Sequence, residues 1–310
     1  MNRTRVAGYL FALGAGATWG TTGVLSTALF HAGQDITGIG FWRVSVGVVG
    51  LFLYMLFFHP DLLKADLKGW LLVFGGGGLL VAVFEVAYPY AITGVSVAGA
   101  AALLYLAPVV VAVLARFILG EALTPLRMFL AVLVMIGVGL TVSGGDVGSV
   151  LAGGPGFRTG VLGGLIAMLS YAGTTLLARW SVPRYGAIRS LFLELSGGAV
   201  MMAIFLTLFG RSPFHRSPEG GIPYPVGLAA WGFCLAQAIG PVVGANFLFF
   251  AGVRRIDAAP TAVAATVEPV VGTLLAFFFF SQHLTALGWL GLLLVVGGVA
   301  TSYRSEALGD

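Results

Sequence analysis

The segment Pro108-Val109-Val110 returns later as Pro269-Val270-Val271, and two further pairs keep the same spacing: Leu123-Thr124 with Leu284-Thr285, and Gly137-Val138 with Gly298-Val299. Each match lies 161 positions from its mate (269 less 108). Nearer the start, Gly8, Trp19 and Thr22 align with Gly160, Tyr171 and Thr174 at an interval of 152. The second half therefore carries an insertion of nine residues (161 less 152), for which the Pro-, Gly- and charge-rich stretch 210–226 is the natural place. Two copies of one unit make up the chain.

Composition says what that unit is. Of 310 residues, 58% are hydrophobic and only 9% charged, whereas soluble domains carry about 25% charged residues. A soluble protein is excluded. Apolar stretches bounded by charge, Pro and Gly read as helical membrane spans at 6–30, 37–58, 69–92, 97–118 and 126–142, then at 157–178, 187–209, 227–252, 258–280 and 285–303. Ten spans of about 20 residues use roughly 200 positions and leave no room for a separate aqueous module. The 47 glycines fit this setting, because small residues let membrane helices approach closely. Cys234 is the single cysteine and excludes an internal disulfide. Short turns such as Thr93–Ser96 make neighbouring spans antiparallel. The first span resembles a signal peptide in its flanks, but it is longer than a signal core and has a counterpart in span six, so it reads as retained.

The repeats are expected at 1–145 and 157–304, followed by a short cytoplasmic tail at 305–310. Each holds five spans, an odd number, so the second enters the membrane from the opposite face. Basic residues set the orientation. With the N-terminus inside, the cytoplasmic segments carry 12 of the 16 Lys and Arg, the outer loops carry Arg158, Arg211 and Arg216, and Arg43 lies in a span. The fold expected is an all-α integral membrane protein of ten transmembrane helices, N-in and C-in, in two inverted five-helix repeats. That is the architecture of alternating-access transporters, with a cavity near the bilayer midplane.

Several motifs sit in this frame: Trp19-Gly20 in span one, Phe41-Trp42-Arg43 opening span two, and Pro108 followed by Leu119-Gly120-Glu121-Ala122-Leu123. In the second half Glu268-Pro269 and Gly297-Gly298-Val299 complete the pattern. In their order and duplication they resemble the drug/metabolite transporter superfamily, in its EamA-type ten-span branch. Ser281-Gln282-His283 departs from the Gly-Glu expected there. The resemblance extends to the YddG type, bacterial inner-membrane exporters of aromatic and other amino acids. It implies a secondary-active or facilitative exporter of aromatic and apolar amino acids, with threonine and methionine as further candidates, and of related small metabolites.

Polar groups inside the hydrocarbon are the candidate site, because charges there are costly and face a cavity or a partner. Arg43 lies roughly 9 Å from the outer face and Glu85 roughly 24 Å from the inner one, at 1.5 Å per residue, so both fall in the outer third. They are close enough to pair, either as an outer gate and carboxylate site or as a fixed ion pair. Under the repeat, Glu85 maps to Asn246 and Arg43 to within a residue of Glu194, which predicts a second polar pair near the inner mouth. Glu268 falls near the midplane, where a carboxyl can exchange a proton or recognise an ammonium. Pro108 and Pro269 lack an amide proton and free the carbonyls of Leu104 and Ala265, kinking their helices. Trp19 and Tyr171, repeat mates near mid-span, are expected walls of a central pocket, extended by Tyr105 and Tyr88; Tyr88 and Tyr90 also suit an interfacial aromatic belt. Gly16, Gly20, Gly160 and Gly164 have the spacing of close helix contacts.

No Walker A, GxGxxG, HExxH or GxSxG pattern occurs, which speaks against ATP-driven or hydrolytic chemistry. The four histidines are scattered, so no metal and no cofactor is expected beyond proton coupling. The partners expected are a small-molecule substrate and the lipid bilayer, with no nucleic acid, and the chain is expected to act as a monomer in a bacterial inner membrane. A nucleotide-sugar or phosphorylated-metabolite exchanger is an alternative, disfavoured because Arg43 is the one intramembrane cation. A channel would need a continuous polar lining, and an intramembrane enzyme a cluster of catalytic groups.

Overall fold

Helix is the only regular structure in the described residues of this computed structural model, which are 3–31, 36–143, 156–209, 222–280 and 285–308. Hydrocarbon imposes that outcome, because a lone strand would leave its backbone groups unsatisfied there. The elements are α1 (Arg3–His31), α2 (Ile36–Phe58), a 3₁₀ turn (Pro60–Leu63), a π-helical segment (Gly69–Gly77) continuing into α3 (Gly78–Leu104), α4 (Ala107–Ile118) and α5 (Pro125–Val142). The second half runs α6 (Phe157–Tyr185), α7 (Ala187–Phe209), α8 (Leu228–Gln237), a second π-helical segment (Ala238–Ala245), α9 (Asn246–Val253), α10 (Ala258–Ala265), α11 (Glu268–Phe280) and α12 (Ala286–Leu308). Eight stretches of the described residues are long and apolar enough to cross a membrane, and Pro125–Thr141 is a shorter apolar helix.

The turn expected at Thr93–Ser96 falls between the spans Gly69–Ile92 and Gly99–Ile118, yet residues Gly78–Leu104 are helical throughout. Packing nevertheless shows that the chain doubles back. Along α6, Leu80 lies against Gly173 and Gly94 against Gly160, but Leu103 returns to Gly164. The reversal therefore falls between Gly94 and Leu103. The non-helical break comes later, at Tyr105–Leu106, and its repeat mate is the break at Thr266–Val267. Both breaks stand just before the prolines, where the missing amide cancels one helical bond. The backbone tightens to i→i−3 hydrogen bonds there, from Leu106 to Leu103 and from Val267 to Ala264.

Packing respects the duplication. The π segment, α3 and α4 lie on α6, while their counterparts, the second π segment, α9, α10 and α11, lie on α1. The repeat mates α5 and α12 pack together, as do α2 and α7. Close contacts depend on absent side chains. A Cβ on Gly16 would stand 2.3 Å from the carbonyl oxygen of Ala265, the group Pro269 leaves without a helical donor, and 2.8 Å from Val267 Cγ1. Gly20 meets the Glu268 carbonyl in the same way, Gly160 meets Gly94 and Gly164 meets Leu103. Gly16→Val is expected to cost about 3 kcal/mol or more, because backbone rather than a flexible side chain would have to yield. A detergent melting curve close to wild type would contradict this account of the α1 contact.

One end of the bundle collects the charged loops. Tyr185 donates to Asp66, Arg189 donates to the carbonyls of Asp61 and Leu62, and Arg127 and Arg179 reach Asp257. At the opposite end Trp42 donates to the Pro223 carbonyl, and Gly38 packs on the same residue.

Candidate functional site

Between the two halves lies a cavity of about 200 Å³. The first half contributes Trp19 and Thr22 from α1, Arg43 from α2, and Phe84, Glu85, Tyr88 and Leu104 from α3. The second contributes Tyr171 and Thr174 from α6, Leu191 and Glu194 from α7, Pro241, Asn246, Phe249 and Phe250 from the π segment and α9, and Glu268 from the first turn of α11. Eight residues singled out by sequence thus meet in one space. Tyr88, also a candidate for the interfacial belt, lines the cavity and stacks on Phe84 with ring centroids 5.5 Å apart. Tyr105 is set back in a small side pocket with Pro108, Tyr171 and Glu268.

An aromatic wall forms from residues of both halves. Trp19 and Tyr171 meet edge to face at 6.2 Å between centroids, and Phe249 completes the group at 5.3 Å from Trp19 and 6.2 Å from Tyr171. The indole Nε1 of Trp19 donates to the Pro241 carbonyl at 3.0 Å, which fixes the ring plane.

Arg43 and Glu85 do pair: Nη2 donates to Oε1 at 2.5 Å, with the side chains 17% and 13% exposed. Gly40 opposite gives Glu85 its room, since a Cβ there would stand 3.1 Å from Oε2. The second polar pair expected at Glu194 and Asn246 does not form. Asn246 Nδ2 instead donates to the Val242 carbonyl at 2.8 Å, one turn back on its own helix. Glu194 is 4% exposed, and its Oε2 has no hydrogen-bond partner among the described residues. It occupies space left by Gly77, whose Cβ would lie 3.1 Å from Glu194 Cγ. Repeat symmetry thus brought the right positions together, but their different side chains found different partners.

The cavity is asymmetric along its length. Leu191, Glu194, Leu195, Phe249 and Phe250 are buried at one end, while Arg43, Glu85, Phe84 and Tyr88 are partly exposed at the other. Beyond the buried end, an ion network ties the halves together. Arg179 donates from Nε to Glu121 Oε1 at 2.9 Å, from Nη2 to Asp257 Oδ1 at 2.7 Å and from Nη1 to the Val253 carbonyl at 2.7 Å. Arg127 Nη2 reaches Asp257 Oδ2 at 2.9 Å, and the Ala258 amide, opening α10, donates to both Glu121 oxygens at 3.0 Å. Burial pushes the Glu121 carboxyl above its ordinary value, while the Ala258 amide and the Arg179 guanidinium pull it down.

Sequence reasoning missed the joint role of these four charges. Arg127 and Arg179 had been counted only for their side of the membrane, Glu121 had been read only as part of the Leu119–Leu123 motif and Asp257 not at all, and partners separated by more than 50 positions show no local spacing. It also passed over Thr22 and Thr174, although their repeat alignment marked them, and over Phe249 and Pro241 within apolar runs. The departure at Ser281-Gln282-His283 lies outside the described residues.

Comparison with known proteins now bears on this geometry. The chain matches the EamA-like transporter family twice, at residues 6–143 and 158–304. It is 25% identical over 284 residues to a protein of Archaeoglobus fulgidus described as an uncharacterized transporter, covering 91% of this chain and 92% of that one. A protein of known crystal structure superposes with a TM-score of 0.79 at 20% identity, covering 98% of this chain and 99% of the other, a likeness of fold.

Proposed function

Because the chain belongs to the EamA-like transporter family, whose domain it carries twice, we propose that it exports amino acids and related small metabolites by alternating access across a bacterial inner membrane. It is a multi-pass membrane transporter; the substrate, the direction and the rocking cycle are the parts proposed. Aromatic and apolar amino acids are the substrates expected, driven by their own gradient or by proton exchange. The observation that carries this reading is the cavity, closed by residues of both halves and holding an aromatic wall, an ion pair and two further carboxyls. One chain supplies both halves, so a monomer suffices. Ten crossings with both termini inside account for the charged loops gathered at one end. In that orientation the buried end of the cavity faces the cytoplasm and the ion network seals it, which makes this the outward-facing state.

Purified protein in liposomes, offered a panel of labelled amino acids with and without a pH gradient, tests the proposal. Saturable counterflow of at least one of them is expected, and stimulation by the gradient would identify proton exchange. No counterflow of any would end the amino-acid reading. Arg43 has a narrower test. Its pair with Glu85 lines the outer approach, and removing one partner leaves a charge in a low-dielectric site, so Arg43→Ala is expected to lower uptake by roughly tenfold, the equivalent of about 1.4 kcal/mol. Unchanged uptake at full expression would remove Arg43 from the outer gate.

A further inference from the structure

Hydrogen-bonding capacity in the cavity is unbalanced. Its strongest donors are already engaged: the Trp19 indole on the Pro241 carbonyl, the Asn246 amide on the Val242 carbonyl, and Arg43 Nη2 on Glu85. The acceptors are only partly engaged. Glu194 is 4% exposed and lines the cavity with an Oε2 that has no partner among the described residues. Glu268 lines both the cavity and the side pocket, where the Tyr105 hydroxyl hydrogen-bonds to it and leaves it further acceptor capacity, and Leu104, whose carbonyl loses its helical donor at Pro108, lines the wall between them. Formal charge points the same way. Arg43 cancels Glu85, and Glu194 and Glu268 have no cation beside them among the described lining residues.

A buried acceptor without a donor is a standing cost that a ligand can relieve. The ligand that does so brings N–H donors and positive charge. It also brings an aromatic or apolar body for Trp19, Tyr171 and Phe249, whose ring faces attract cations as well as apolar groups. A carboxylate on the same molecule would add a negative group to a site with two uncancelled acids, and it would have to compete with Glu85 for Arg43. From this arrangement we infer that the cavity selects aryl-alkyl amines, compounds with an ammonium and no carboxylate, over the amino acids of the same side chain. The inference rests on the transporter reading above and narrows its substrate class. Glu194 holds the ammonium, Glu268 is the second acceptor, and the Trp19–Tyr171–Phe249 wall holds the ring.

The test uses the full-length purified protein and two kinds of measurement. Equilibrium binding in detergent is compared for phenylethylamine and phenylalanine, and for tryptamine and tryptophan. Benzyltrimethylammonium serves as a permanently charged probe that cannot leak across lipid as a neutral base. Counterflow of the same compounds is then measured in liposomes. Each amine is expected to bind at least tenfold more tightly than its amino acid, and benzyltrimethylammonium, which brings the charge without an N–H donor, to compete more weakly than the amines. Glu194→Gln, which keeps the shape and removes the charge, is expected to weaken amine binding by tenfold or more while leaving the melting temperature at or above that of wild type. Binding of the amino acids as tight as that of the amines overturns the inference, and their counterflow then leaves the export reading standing. Amine binding without counterflow of any solute upholds the selectivity and sinks the transport reading instead. Amine binding unaffected by Glu194→Gln, in a variant that melts normally, overturns the role given to Glu194.

Discussion

Glu268→Gln is expected to cut exchange in proteoliposomes by roughly ten- to hundredfold, the equivalent of losing one hydrogen bond to a charged group, about 1.5–3 kcal/mol. The substitution keeps the shape of the side chain, and the backbone around it is held independently. The Glu268 carbonyl lies so close to Gly20 that a Cβ there would stand 2.7 Å away, and that contact does not involve the carboxyl. The protein should therefore fold and melt as wild type does. What changes is the one carboxyl among the described residues that touches both the cavity and the side pocket with Tyr105. Two readings of this group diverge in the rate profile. If Glu268 carries the exchanged proton, the variant loses stimulation by a pH gradient even at saturating substrate. If it only binds the substrate amine, the loss is recovered by raising substrate concentration. Full activity in Glu268→Gln would exclude both.

What the sequence made readable was whatever the duplication wrote twice. The interval of 161 placed Pro108 and Pro269 at equivalent points, and both helices break just before them. Depth arithmetic brought Arg43 and Glu85 to one level, and they meet. Trp19 and Tyr171, mates at the interval of 152, share an edge-to-face contact because mid-span positions of spans one and six face each other across the pseudo-symmetry axis. Features that break the symmetry were not readable. Asn246 has a flexible amide that finds a carbonyl one turn away on its own helix, so no local rule predicts that it leaves Glu194 alone. The π-helical segments depend on how Gly75-Gly76-Gly77-Gly78 and Pro241 pack: the Phe74 carbonyl presses so tightly on α7 that a Cβ on Gly197 would lie 1.9 Å from it. The turn expected at Thr93–Ser96 does fall where the chain reverses, between the span that ends at Ile92 and the one that resumes at Gly99, although its residues keep helical hydrogen bonds.

Arg179→Ala is expected to have the largest effect on stability and to unseal the buried end of the cavity. One guanidinium there satisfies Glu121, Asp257 and the Val253 carbonyl, two of them charged and all drawn from segments that only the folded chain brings together. Its removal leaves Glu121, 7% exposed, facing Asp257 with no cation of its own. Breaking such a pair costs about 3 kcal/mol, the low end of the range for buried partners because Arg179 and Asp257 keep some solvent contact. Lysine is a poor substitute, since a single ammonium cannot span three acceptors held in fixed directions. The sign of the pH dependence follows from Glu121. Burial already raises its proton affinity in the folded protein, and Arg179 opposes that rise. A carboxyl raised above its unfolded value contributes stability that is complete below the unfolded pKa and lost as pH climbs through the folded one. Without Arg179 the raise is larger, so the stability gap between variant and wild type should widen from about pH 5 to about pH 7. A gap equal at both values would mean that Arg179 acts through Asp257 and Val253 alone. Loss of the network should also favour opening at that end. Leu191 is 1% exposed at the bottom of the cavity, and the native Cys234 is fully buried. Leu191→Cys should therefore react with a membrane-impermeant maleimide applied to the side on which the ion network lies faster when combined with Arg179→Ala than alone. Equal rates would separate the network from the gate and leave it a staple between the two halves.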